Sequence, residues 1–121
     1  MQRRKLTYLE RNAIYDKCDA CCAYCGVHID FKDMQVDHVM PLRKGCTDSL
    51  DNMLPACRSC NHYKSTLTLE QFRAAIEKMP QVLERDNTTY KIARRFGVVK
   101  TGKPKVVFYF EKVRAFDETI L

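Results

Sequence analysis

Two CxxC pairs constrain this chain more than any other feature of its sequence. The first pair runs from Cys22 to Cys25 and the second from Cys57 to Cys60. This spacing lets two thiolates occupy adjacent corners of a tetrahedron around Zn²⁺, so the two pairs together predict a four-cysteine structural zinc site. The 31 residues that separate the pairs exceed the roughly 15 to 20 residues of a simple zinc ribbon. A segment with a use of its own is therefore expected between them.

Three further cysteines, Cys18, Cys21 and Cys46, remain outside this set. The first two form an overlapping CxxC that could in principle supply half of the site. The pair that begins at Cys22 is preferred because Gly26 follows it and permits the tight knuckle turn in which backbone amides face sulfur. A thioredoxin-like redox site is the competing interpretation of a CxxC. It requires a preceding strand in a larger α/β pattern, which the sequence does not show.

The composition is that of a globular protein rather than a membrane protein. Of the 121 residues, 45% are hydrophobic and 30% are charged, and no stretch approaches the roughly 20 apolar residues of a membrane span. The charged start, Met1–Lys5, is followed by no apolar core of the kind that a secretory signal contains. We therefore expect a protein of the reducing cytoplasm, where cysteine pairs bind metal rather than form disulfides.

The charge of the chain points to an anionic partner. The formal net charge is +6, and four ionised zinc ligands with one Zn²⁺ would lower it to about +4. Residues 91–114 hold eight Lys or Arg residues against one acid, and Lys100, Lys103 and Lys105 within them are candidate phosphate contacts in DNA. A charge run of this kind is also typical of an ordinary solvated surface, so both interpretations stay open on charge alone.

Local patterns predict helices and strands around the cysteine pairs. Thr7 followed by Glu10 is a capping box, and apolar residues at helical spacing continue to about Lys17. A polar loop with a turn glycine at Gly45 is then predicted over Pro41–Asn52. Three short elements are predicted beside this loop: strands over Met34–His38 and Met53–Ala56, and a helix over Arg58–Lys64.

The last third of the chain is predicted to be helical and then extended. A helix opens after Thr68, and Pro80 separates it from a further helix that reaches Phe96, with Gly97 as the C-cap. The β-branched and aromatic run Val106–Phe110 predicts a strand. We expect residues 1–66 to form a core and residues 67–121 a helical and β extension packed on the same domain.

The residues between and after the cysteine pairs carry a recognisable order of polar groups. Asp37-His38 precedes Asp51-Asn52, and Asn61 and Lys64 follow Cys60 within the sequence CNHYK. This order of CxxC, Asp-His, Asp-Asn and CNxxK resembles the HNH endonuclease family, over about a third of the chain. The resemblance implies an α+β fold with a small ββα-metal core (the His-Me finger), here held by the four-cysteine zinc and flanked by helices and a C-terminal strand.

The same residues suit hydrolysis of a phosphodiester bond. His38 is the expected general base, because a neutral imidazole accepts a proton from water near pH 7. Asp37 and Asn61 offer oxygen ligands to a hard cation, Mg²⁺ or Mn²⁺. The family resemblance further implies that Asn52 holds the loop so that His38 points inward. Taken singly, an Asp-His dipeptide or an asparagine is usually an ordinary surface or turn residue.

Three residues close to the second cysteine pair, Arg58, His62 and Lys64, are candidate DNA contacts. Arg58 or Lys64 could contact phosphate, and His62 is either a DNA contact or a rival of Asn61 as metal ligand. Adjacent helical residues point about 100° apart, so only one of the two can face Asp37. Asn61 is preferred because it follows Cys60, which the zinc would hold in place.

The sequence therefore predicts a small, metal-dependent HNH endonuclease that acts on DNA and needs no membrane. The family resemblance further implies a phage-like nuclease of a bacterial or phage-infected cell. The alternative is a noncatalytic zinc-stabilised module that binds DNA or a protein. Such a module would not require Asp37, His38 and Asn61 together. A thiol-based redox sensor is a third possibility, and freely titrating cysteines without zinc would indicate it.

Overall fold

The structure is a computed structural model that describes residues 5–42, 48–103 and 105–118. Its contacts divide the chain into two units. The first unit contains residues 1–69 and 107–121, and the second contains residues 70–106. The segment from residue 107 onward is thus grouped with the first 69 residues. Cys46 lies outside the described residues.

Helix α1, Tyr8–Asp16, begins at the capping box that the sequence predicts. The Thr7 hydroxyl accepts from the Glu10 amide at 3.1 Å, and the Glu10 carboxylate accepts from the Thr7 amide at 3.0 Å. These two bonds satisfy amides that a helix N-terminus otherwise leaves without partners. The helix buries Ile14 completely against the core.

Two basic residues of this first segment fasten it to the backbone near the two strands. The Arg11 guanidinium donates to the carbonyl oxygen of Met34 at 3.2 Å. The Lys17 ammonium, just beyond the helix, donates to the carbonyl oxygens of Leu50 and Met53 at 2.6 and 2.8 Å. Carbonyl oxygens at the ends of strands have no hydrogen-bond partner within the sheet, and here cationic side chains donate hydrogen bonds to them. Helix α1 and the residue that follows it therefore stabilise the sheet through these hydrogen bonds.

Strands β1, Gln35–His38, and β2, Met53–Ala56, form an antiparallel pair and confirm the two predicted strands. His38 lies opposite Met53 and Gln35 lies opposite Ala56. Asp37 and His38 are both buried at the end of β1. Short 3-10 turns precede each strand, at Phe31–Asp33 and Leu50–Asn52.

Helix α2, Arg58–Lys64, follows directly and confirms the predicted helix. Cys57 caps it, because its sulfur accepts from the Cys60 amide at 3.4 Å. Strand, strand and helix together form the expected ββα core of an α+β fold. The core of the first unit is built from buried side chains of every segment: Ile14, Cys22, Val39, Leu54, Phe108 and Phe110.

The predicted strand over Val106–Phe110 is wrong. A helix of five residues, α6, occupies Tyr109–Val113 instead. The Glu111 carboxylate accepts from the Phe108 amide at 2.8 Å and so starts a helical turn where the strand was expected to continue. The β-propensity of these residues reflects a preference for burial, which the helix start satisfies as well as a strand would.

The segment that leads into α6 lies against the first cysteine pair. The amides of Tyr109 and Phe110 donate to the carbonyl oxygens of Tyr24 and Ala23 at 3.0 and 2.7 Å. The rings of Phe108 and Phe110 meet the Tyr24 ring edge-on, with centroids 5.3 and 6.1 Å apart. Residues from the end of the chain thus complete the surroundings of Tyr24.

The second unit is helical. It contains most of α3, Leu69–Glu77, followed by α4, Met79–Asp86, and α5, Thr88–Arg95. The single helix expected to run on to Phe96 is wrong, because Asn87 ends α4 and caps α5 by accepting from the Tyr90 amide at 2.9 Å. Gly97 has φ 73° and follows α5 as expected of a C-cap residue.

None of the helices in the described ranges combines the length and the apolar character that a bilayer crossing needs.

Candidate metal centres and surrounding residues

The structure brings the four predicted cysteine sulfurs together. The Sγ atoms of Cys22, Cys25, Cys57 and Cys60 all lie within 4.8 Å of one another, and those of Cys25 and Cys57 are 3.9 Å apart. Tetrahedral Zn²⁺ with Zn–S bonds of about 2.3 Å separates its sulfurs by about 3.8 Å. The cluster is positioned to bind one metal ion, and its donors are those of a structural zinc site.

The electrostatics of the cluster favour the thiolate form of one cysteine, Cys22. A hydrogen bond from Cys60 is the main reason that the pKa of Cys22 falls to about 4, and nearby backbone amides add to the effect. One of these is the Tyr24 amide, 3.4 Å from the Cys22 sulfur. The pKa of Cys60 is raised, chiefly because it gives its hydrogen bond to Cys22. A metal cation would take the place of that shared proton.

The surroundings of the cluster explain which cysteines belong to it. Gly26 has φ 80°, and a Cβ there would lie 3.1 Å from the Tyr109 ring, so both the knuckle turn and the close packing require glycine. Cys18 is buried away from the cluster, and burial raises the pKa of its thiol to about 11. Cys18 is therefore a neutral interior thiol at physiological pH.

The Asp37 carboxylate is the centre of a buried polar group. Its Oδ2 accepts from the Tyr24 hydroxyl at 2.5 Å and lies 3.0 Å from the Lys64 ammonium. Only 4% of Asp37 and 4% of Tyr24 are exposed. Burial raises the pKa of Asp37, and the charge of Lys64 opposes that rise. The Asp37 carboxylate, which would be costly to ionise alone, is thus compensated by the Lys64 ammonium.

Lys64 differs from the phosphate contact that the sequence suggested. Its side chain is completely buried, and its ammonium also donates to the carbonyl oxygen of His38 at 3.1 Å. A buried ammonium is tolerated only when an opposite charge compensates it, and here Asp37 is the counter-ion of Lys64. Lys64 therefore acts inside the protein, where it compensates Asp37 and fastens α2 to the end of β1.

The two nitrogens of His38 have unlike surroundings. Nε2 lies 2.7 Å from Oδ1 of Asp48. Nδ1 is buried and has no hydrogen-bond partner within the part of the chain that the structure describes. Because a carboxylate only accepts, Nε2 carries the proton in the neutral ring, and Nδ1 keeps its lone pair. The ring is thus held as one tautomer.

Asn52 holds the backbone directly after His38. Its amide nitrogen donates to the Met40 carbonyl oxygen and its amide oxygen accepts from the Met40 amide, both at 2.9 Å. The Val39 amide also donates to the Asn52 carbonyl oxygen at 2.8 Å. These hydrogen bonds continue the pairing of the two segments beyond the last residue of β1. The backbone that follows His38 is therefore held in one direction.

Helix α2 separates the remaining candidates by face. Asn61 is half-buried and lies three residues before Lys64, a spacing that puts two residues on the same side of a helix. His62 is exposed and contacts the Tyr63 ring, with centroids 5.8 Å apart. Arg58 is exposed at the start of the helix. The basic residues Lys100, Lys103 and Lys105 are exposed in the second unit.

Sequence reasoning missed two residues that touch the candidate site, Tyr24 and Asp48. Tyr24 stands inside the first CxxC, where attention falls on the cysteines, and its hydroxyl reaches Asp37 only in the folded chain. Asp48 belongs to a loop without local pattern, so no signal in the sequence marks its contact with His38.

The fold and the site define a small ββα metal-binding core that contains a cluster of four cysteines. Residues 22–66 match the model of the HNH endonuclease family. A curated relative, the CRISPR-associated endonuclease Cas9 of Corynebacterium diphtheriae, is 39% identical over 44 residues, which are 36% of this chain and 4% of that protein.

A solved structure shows the same fold. The crystal structure of the Type II-C Cas9 enzyme from Actinomyces naeslundii matches with a TM-score of 0.53 and 22% identity, over 62% of this chain and 9% of that one. The chain therefore spans only a small part of either protein.

Proposed function

We propose that the chain is a metal-dependent endonuclease that hydrolyses DNA phosphodiester bonds. The observation that carries the proposal is the state of His38 at the end of β1. Its Nε2 is held by Asp48, while its Nδ1 is buried without a partner among the described residues. An unsatisfied buried acceptor costs about 1 to 3 kcal/mol. The Nδ1 lone pair can therefore accept a proton from a water molecule at the end of β1.

His38 is the proposed general base. Nδ1 takes a proton from the attacking water, the water oxygen bonds to phosphorus, and the bond from phosphorus to the leaving oxygen breaks. Asp48 stabilises the imidazolium that forms, since its carboxylate faces the opposite ring nitrogen. Asn52 keeps the following backbone in place, so that the ring stays at the strand end.

Asp37 and Asn61 are the proposed ligands of the catalytic Mg²⁺ or Mn²⁺. The donor set fits, because a carboxylate and an amide oxygen suit a hard cation, and the Asp37 carboxylate is buried beside a single compensating ammonium. When bound, the ion polarises the scissile phosphate and offsets charge on the leaving oxygen. The four-cysteine cluster is proposed to hold a structural Zn²⁺, which fixes the start of α2 and thereby Asn61.

A cleavage assay tests the function against its alternative. Supercoiled plasmid incubated with the zinc-loaded protein and Mg²⁺ or Mn²⁺ should be nicked or linearised, and EDTA should stop the reaction. A shift of plasmid mobility without any cleavage, across both metals, would instead favour the noncatalytic zinc module.

The ligand assignment predicts different results at two adjacent residues. Asn61→Ala should abolish Mg²⁺-dependent cleavage, because it removes the amide oxygen that is the proposed second ligand of the ion. His62→Ala should retain most activity, because His62 is exposed, and should lose at most some DNA affinity. The measurement is the cleavage rate of both variants over a Mg²⁺ and an Mn²⁺ series. A dead His62→Ala beside an active Asn61→Ala would reverse the assignment.

The basic turn of the second unit is proposed to add DNA affinity without sequence preference. Replacing Lys100, Lys103 and Lys105 with glutamine should weaken binding to every duplex tested. The slope of log affinity against log salt should also become shallower, by about 0.9 for each phosphate that the variant no longer neutralises. Replacement of the paired Arg94, which binds Glu84 at 2.6 Å, is a matched control with little expected effect. An unchanged salt slope in the lysine variant would mean that the turn is only solvated.

A further inference from the structure

We propose that Tyr24 is a positioning residue for the catalytic metal, because its hydroxyl orients the Asp37 carboxylate so that Oδ1 is the oxygen presented to the ion. This inference rests on the proposed function, since it takes Asp37 as a metal ligand. It assigns a role to a tyrosine that lies inside the cysteine pair and binds no zinc itself.

Tyr24 is held from several directions. Its amide faces the Cys22 sulfur at 3.4 Å, and its carbonyl oxygen accepts from the Tyr109 amide at 3.0 Å. The Phe108 and Phe110 rings pack edge-on against its ring. The phenol is therefore a fixed donor whose position is set by the knuckle and by the end of the chain.

The two donors at Asp37 act on the same oxygen. Tyr24 donates to Oδ2 at 2.5 Å, and the Lys64 ammonium lies 3.0 Å from Oδ2. A carboxylate that accepts from two donors through the same oxygen cannot rotate without losing both hydrogen bonds. The position of the Lys64 ammonium is shared between Asp37 and the His38 carbonyl oxygen. The Tyr24 ring is held by the Phe108 and Phe110 rings. We therefore take the phenol as the group that sets the plane of the carboxylate.

Hydrogen bonds to a ligating carboxylate influence the metal in a measurable way. Loss of such a partner typically weakens metal affinity about 10- to 100-fold. Tyr24→Phe removes one oxygen atom and keeps the ring that Phe108 and Phe110 contact. Because Lys64 still neutralises Asp37 in this variant, we expect the lower end of the range, about tenfold weaker Mn²⁺ binding.

The test measures Mn²⁺ binding to the full zinc-loaded chain by electron paramagnetic resonance, with no cleavage step. The parent protein carries His38→Ala so that DNA can be included without being cut. Asp37→Asn in this parent identifies the Mn²⁺ that depends on Asp37. Tyr15→Phe is the matched control, because the Tyr15 hydroxyl donates to the Ile29 carbonyl oxygen at 2.7 Å and does not touch Asp37.

The expected result is a tenfold weaker Mn²⁺ affinity in Tyr24→Phe, unchanged affinity in Tyr15→Phe, and the same zinc content in both. Parent-like affinity in Tyr24→Phe, while Asp37→Asn loses the ion, would overturn the role of Tyr24 and leave the proposed function intact. Parent-like Mn²⁺ binding in Asp37→Asn would instead overturn the ligand assignment and with it both proposals.

A second measurement needs no loss of the hydroxyl and covers the case in which Tyr24→Phe fails to fold. 3-Fluorotyrosine is placed at position 24, or at position 15 as control, and ¹⁹F resonances are followed during a Mg²⁺ titration. The signal from position 24 should shift with Mg²⁺, and the signal from position 15 should not. A signal at position 24 that ignores saturating Mg²⁺ would refute the inference.

Discussion

His38→Ala is expected to lower the rate of DNA cleavage by about 10² to 10⁴, the usual contribution of a positioned general base. The fold should remain, because alanine keeps the strand backbone and removes a buried nitrogen that has no partner among the described residues. DNA affinity should also remain, since the base acts only on the attacking water. Single-turnover cleavage and a binding isotherm at one fixed salt concentration give the two quantities.

Wild-type cleavage by His38→Ala would refute the proposed mechanism as a whole, and not only the role of one residue. Loss of both cleavage and DNA binding, with a lowered melting temperature, would show that the ring is a structural group paired with Asp48. The variant therefore separates the enzyme from the noncatalytic module.

Cys57→Ala is expected to unfold the first unit. Structural zinc in small domains contributes on the order of 10 kcal/mol to folding, which equals the whole stability of a typical domain of about 5 to 15 kcal/mol. Cys57 supplies one sulfur of the cluster and also caps α2, so the variant loses the metal and the start of the helix together. Circular dichroism and elemental analysis should show loss of structure and of zinc.

Cys21→Ser is the matched control, because Cys21 lies beside the cluster in sequence and outside it in the structure. It should retain one zinc per chain and a near-parental melting temperature. In the wild-type protein, mild EDTA should stop cleavage by removing the catalytic ion while the zinc stays. Protein purified without chelator that contains no zinc, or a stable Cys57→Ala variant, would contradict the assignment.

Local patterns predicted the elements whose formation depends on neighbouring residues. The capping box of Thr7, the two strands and helix α2 are all found where they were expected. Each is specified within a few residues, by a cap, by a short apolar run or by cysteine spacing. The four-cysteine cluster was predictable for the same reason, because tetrahedral geometry makes the CxxC spacing a strong signal.

The errors arise where a local signal had two structural solutions. Val106–Phe110 has the composition of a strand, yet its aromatic residues are buried by packing on Tyr24 and by the start of α6. The sequence predicts one helix from Pro80 to Phe96, although Asn87 within it is also a strong N-cap and ends α4 here. Tertiary contacts decide between the alternatives at Val106–Phe110, and a local cap decides at Asn87.

The contacts around the candidate site could not be predicted from the sequence, because they join segments that are distant along the chain. The sequence suggests that Lys64 contacts phosphate, but in the folded chain it lies against Asp37. Asp48 reaches His38 across a loop, and Tyr24 reaches Asp37 from the cysteine knuckle. No pattern within one segment encodes such a pairing.

The packing of residues 108–110 on Tyr24 has a consequence for how the protein is synthesised. The ribosome delivers the cysteine pairs and the Asp37-His38 segment early, but Phe108 and Phe110 arrive only after the whole second unit has been made. Until then the Tyr24 ring lacks the two rings that pack against it. The support of the Asp37 carboxylate is thus completed late in translation, so an unfinished chain that already contains every proposed catalytic residue is expected to be a poor nuclease.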